Sequence, residues 1–62
     1  MNLKEFRISK GLTQEQFAHM IGFTLSMVAQ VERGIIKPSR NFMEKVKKSF
    51  PDIDINAVFF AN

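Results

Sequence analysis

At 62 residues with no cysteine, the chain has room for one domain, residues 1–62, burying only about 60% of its unfolded surface, and it excludes a disulfide framework or thiolate metal site, as suits a reducing cytoplasm. Its opening, Met1-Asn2-Leu3-Lys4-Glu5, lacks the apolar stretch of a secretory leader, and the longest apolar run, Ala57 to Ala61, is far short of the roughly 20 residues a membrane-spanning helix needs. The net charge of +3 is unevenly placed: residues 1–32 are balanced, whereas Arg33, Lys37, Arg40, Lys45, Lys47 and Lys48 face Glu44 alone in residues 33–48, so one face or end of the fold is expected to be basic.

In the first segment, Asn2 to Lys10, Leu3 and Phe6 are three apart, which predicts a short helix closed by Gly11, the residue best suited to a left-handed helix end. Thr13-Gln14-Glu15-Gln16 reads as a capping box, with the Thr13 hydroxyl serving the Gln16 amide and Gln16 reaching back. A second helix therefore starts at Thr13 or Gln14, buries Phe17, Ala18 and Ile21, and breaks at Gly22. Only Gly22 and Phe23 precede Thr24, the next candidate cap, and such a tight joint between two helices is helix-turn-helix spacing. From Thr24 to Arg33, Val28 and Val31 are expected to face inward, leaving Leu25, Ser26, Met27, Ala29 and Gln30 partly or wholly outward; Gly34 ends the helix. After Ile35-Ile36-Lys37-Pro38, Ser39 caps a fourth helix with Phe42, Met43, Val46 and Phe50 inward, and Pro51 stops it. Asp54 caps a short fifth helix, from which Val58 and Phe59 complete an all-α core.

Leu3-Lys4-Glu5-Phe6-Arg7, Gly11 to Ala18, Ile21-Gly22-Phe23-Thr24, Val28 to Gly34 and Lys37-Pro38-Ser39 together resemble the lambda-repressor-like (Cro and repressor) helix-turn-helix family, from Leu3 to Phe59. The resemblance implies a compact five-helix DNA-binding domain with the helix-turn-helix at its second and third helices. It places base contacts at Leu25, Ser26, Ala29 and Gln30, and backbone contacts at Gln14, in the loop Gly34 to Lys37, and at Arg40. Arg7 and Glu32 correspond to a buried ion pair tying the first helix to the end of the third. Lys10, by its charge, and Thr24, by its hydroxyl, are added as backbone contacts.

The residue types have their own chemistry. A helix in a major groove about 12 Å wide packs one face on its neighbour and offers the other to base edges, and Gln30 can bond adenine N6 and N7 together. Leu25 and Ala29 can meet only thymine methyl groups, so the hydrogen-bond code of this helix is thin. His19, the single histidine, stands on the outward side of the second helix without a second His or Cys, which argues against a metal site. No nucleophile triad or glycine-rich phosphate loop is present. The chain therefore reads as a non-enzyme without cofactor or small-molecule ligand.

Phe59 and Phe60 cannot both be buried by one short helix, so Phe60 is expected at the surface, where the family's small regulators form C-terminal dimers. The resulting expectation is a cytoplasmic, Cro-like regulator of phage or mobile-element type, a homodimer on a pseudo-palindromic double-stranded operator. The alternative is a helix-turn-helix scaffold that docks a protein through Leu25, Met27 and Ala29, as an antirepressor or antitoxin partner would.

Overall fold

The structure, a computed structural model, describes residues 1–60. Four α-helices follow one another: α1 Leu3–Ser9, α2 Gln14–Ile21, α3 Leu25–Glu32 and α4 Arg40–Ser49, and a single π-helical turn, Asn56–Phe60, completes the described chain. The fifth helix expected from the sequence is thus only one wide turn, with the Asp54 carboxylate accepting from the Ala57 amide at 3.1 Å. No described helix is long and apolar enough to cross a membrane.

Each α-helix starts on a side chain that satisfies an amide otherwise left without a partner. Thr13 and Gln16 form the expected capping box, with the Gln16 amide donating to Thr13 Oγ1 at 3.1 Å and the Thr13 amide to Gln16 Oε1 at 2.9 Å. Asn2 and Glu5 form a second box that the sequence reading passed over. Thr24 Oγ1 accepts from Met27, and Ser39 Oγ from Phe42, both at 3.1 Å.

Three helices end alike. The amide of Phe23 donates to Ala18 at 3.0 Å, closing α2 over Gly22 at φ +77°, and the amides of Leu12 and Ile35 close α1 and α3 by the same six-residue span onto Arg7 and Gln30. Gly22 is required there because a left-handed residue is what turns the chain from α2 into α3 within so few residues. The apolar residues after Gly11 and Gly22 then pack against the core. Leu12 and Phe23 are half-buried, but Ile35 stays 62% exposed.

The core has two aromatic nodes. Phe50 meets Phe6 edge-on at 5.5 Å and lies nearly parallel to Phe17 at 5.3 Å, while Phe42 meets Phe23 at 5.0 Å and Phe59 at 6.4 Å. Ile21, Val28 and Val46 belong to the same buried cluster. Of the other residues expected inward, Val31 and Phe59 are half-buried and pack against this core, while Met43 is half-buried. Val31 also lines a cleft between the start of α1, the 34–38 loop and the C-terminal turn. Met27, expected partly or wholly outward, is half-buried and packs against the core.

Because Phe42, 1% exposed, joins the turn before α3 to the C-terminal turn, Phe42→Ala is expected to cost about 3–5 kcal/mol, enough to unfold much of a domain this small. Urea denaturation followed by circular dichroism measures it, with Phe42→Leu as the milder control.

Candidate nucleic-acid interface

On α3, a residue advances 100° per position, so Ser26, Ala29, Gln30 and Arg33 fall on one stripe. Ser26, Gln30 and Arg33 are exposed and Ala29 half-buried, while Val28 on the opposite side is fully enclosed. Leu25, at the start of the helix, is 46% exposed. The helix thus rests on α2 through one face and presents the other, as groove insertion requires. Arg33 was missed as a candidate contact. Its spacing of seven from Ser26 was the available signal, and the backbone at Arg33 keeps right-handed helical angles that hold the residue in line.

Behind this stripe lies a buried polar network. Arg7 Nε donates to Glu32 Oε2 at 2.7 Å and Nη2 to Glu32 Oε1 at 3.2 Å, while Nη1 donates to the Leu12 carbonyl at 2.8 Å. The two side chains are 10% and 4% exposed. Gln14 Nε2 also donates to Glu32 Oε1, at 3.0 Å. Burial pushes the Glu32 carboxyl upward, but the hydrogen bonds from Arg7 and Gln14 and the charge of Arg7 outweigh it and hold the group below its ordinary value.

The remaining candidates divide. Lys37 and Arg40 are exposed and have no carboxylate partner among the described residues. Thr24 is exposed too; its oxygen accepts from Met27, which leaves the hydroxyl proton to give. Lys10 differs, because its Nζ lies 2.5 Å from Asp52 Oδ2 and 5.4 Å from the centre of the Phe6 ring. The hydrogen bond from Lys10 holds the Asp52 carboxyl below its usual value, and a phosphate contact by Lys10 would have to break this pair. Away from α3, Phe60 is 60% exposed and borders a shallow groove with Lys37, Pro38 and Phe59.

Two helices joined through a left-handed glycine, the second presenting a polar stripe flanked by free cations, define a helix-turn-helix DNA-binding domain. Residues 3–54 match the helix-turn-helix family model, and the chain belongs to that family, the lambda-repressor-like DNA-binding transcription regulators of Cro and repressor type. No significant match is found among curated proteins or solved structures.

The depressed Glu32 value sets a pH dependence. Its stabilisation is complete above the ordinary glutamate pKa of about 4.3 and is lost as pH falls through the lower folded value. Wild-type unfolding free energy is therefore expected to decline on acidification below that point. Glu32→Gln should begin less stable at neutral pH and decline less steeply; subtracting the two urea-denaturation series removes the contribution of Asp52, which has the same sign.

Proposed function

We propose that this chain is a Cro-like repressor of phage or mobile-element type, acting in a bacterial cytoplasm by occupying a pseudo-palindromic operator as a homodimer. The observation that carries the reading is the exposed stripe of α3 with unpartnered cations at its end and beyond it. Gln30 takes the base-reading role through its carboxamide, with Ser26 beside it, while Leu25 and Ala29 serve thymine methyl groups and exclude water. Gln14, Thr24, Lys37 and Arg40, joined by Arg33, hold backbone phosphates on either side.

Dimer formation is supported by the two large apolar side chains left in water near the loop and C-terminal turn, Ile35 at 62% and Phe60 at 60% exposed. A self-complementary contact there would let two α3 helices enter successive major grooves about 34 Å apart.

Anisotropy titrations on a labelled duplex test the DNA assignment. With about six phosphate contacts per dimer, log K against log salt is expected to slope near −5. Gln30→Ala should lose about 1–3 kcal/mol on a selected site and little on random duplex, whereas Arg40→Ala should weaken both alike. A flat salt response, with no recurrent motif selected from random duplexes, favours the protein-docking alternative, for which exposed Leu25 is the anchor.

Sedimentation equilibrium tests the dimer. Phe60→Asp would bury a charge in an apolar contact, so association and cooperative DNA binding are expected to fail while the helical circular dichroism survives. A mutant that associates as tightly as wild type removes Phe60 from the interface, and one that unfolds assigns it to the monomer core.

A further inference from the structure

Glu32 lies at the C-terminal end of α3, yet its carboxylate is shared between two other parts of the chain. Oε2 accepts from Arg7 Nε, while Oε1 accepts both from Arg7 Nη2 and from the carboxamide of Gln14, the first residue of α2. A carboxylate can only accept, so the Gln14 atom facing it is the NH2 group. One of its protons is held by Glu32 and the other points elsewhere. Gln14 is half-buried, and beside it the first amides of α2 precede any intrahelical acceptor, the Thr13 hydroxyl serving only Gln16. The two-pronged Arg7 contact neutralises Glu32, so an anion approaching Gln14 meets no net negative charge from behind it.

We propose that Glu32 is a positioning residue for DNA binding: by accepting one N–H of the Gln14 carboxamide, it fixes that side chain at the start of α2 and presents the second N–H, with the adjacent free amides, to a backbone phosphate. The proposal rests on the DNA-binding reading above. It assigns Glu32 a role distinct from its pairing with Arg7, because pairing alone would stabilise the fold without regard to Gln14.

A double-mutant cycle separates the two roles. Wild type, Gln14→Ala, Glu32→Asp and the double mutant are titrated against a labelled duplex at fixed salt and pH, with urea denaturation reporting stability separately. Glu32→Asp keeps a carboxylate for Arg7 but draws it back from Gln14. Gln14→Ala is expected to weaken binding about 3- to 10-fold, the worth of one hydrogen bond. Glu32→Asp should weaken it comparably, and the double mutant no more than Gln14→Ala alone. Losses that multiply in the double mutant, or an unchanged affinity for Gln14→Ala, overturn the proposal while leaving DNA binding intact; a wild type that ignores duplex DNA overturns both. Nuclear magnetic resonance gives a measurement independent of how the Glu32 variant folds. The wild-type Gln14 side-chain NH2 is expected to exchange slowly with solvent and to shift on duplex addition, and resonances matching free glutamine overturn the proposal.

Discussion

Glu32 occupies an unfavourable place for an anion. It is the last residue of α3, where unpaired carbonyls make the helix end negative, and it is almost wholly withdrawn from water. Arg7 reverses both penalties. Its guanidinium grips the carboxylate with two nitrogens and gives a third bond to the Leu12 carbonyl, so one side chain of α1 fixes the turn before α2 and the end of α3 together. Breaking a buried pair of this kind at one partner costs about 3–5 kcal/mol, which approaches the whole stability of a small domain. The angle between the helices of the helix-turn-helix therefore depends on a contact spanning 25 residues, with Gln14 joining it from the third side.

Much of the architecture was legible because its signals are local. Thr13, Thr24 and Ser39 each cap a helix within three residues, and the glycine ends at 11, 22 and 34 follow from backbone sterics alone. Where the sequence reading faltered, the deciding contact was distant. Eight-residue α3 gives too few turns for periodicity to separate its two flanks, so Met27 reads as partly or wholly outward where the fold half-buries it against the core, as it does Val31. Lys10 looked free until the fold brought Asp52 to it. The link between Gln14 and Glu32 likewise joins separate helices, and no spacing rule could announce it. Asn2 is the exception, since its capping partner is only three residues away and its Asn-x-x-Glu pattern was already in view.

The acidic residues show why a net charge of +3 understates the character of the α3–α4 region. Glu5 and Asp54 serve helix starts, Glu32 is enclosed with Arg7, and Asp52 answers Lys10. Most of the negative charge is thereby drawn toward α1 and the C-terminal turn, and Glu44 is the lone carboxylate among the cations of residues 33–48. Lys47 is occupied there as well, its ammonium donating to the Pro51 and Ile53 carbonyls. It braces the turn after α4 while its neighbours remain free to meet a polyanion.

The longest described helix has only ten residues, below the ~12–15 that an isolated helix needs to persist in water. No element can outlive the packed core, so local opening gives way to all-or-none loss of structure. A protease would then meet either the intact domain or an extended chain, and cleavage would follow the population of the latter. Any ligand of the folded form, duplex DNA included, would deplete that population and lengthen the life of the chain by the same factor.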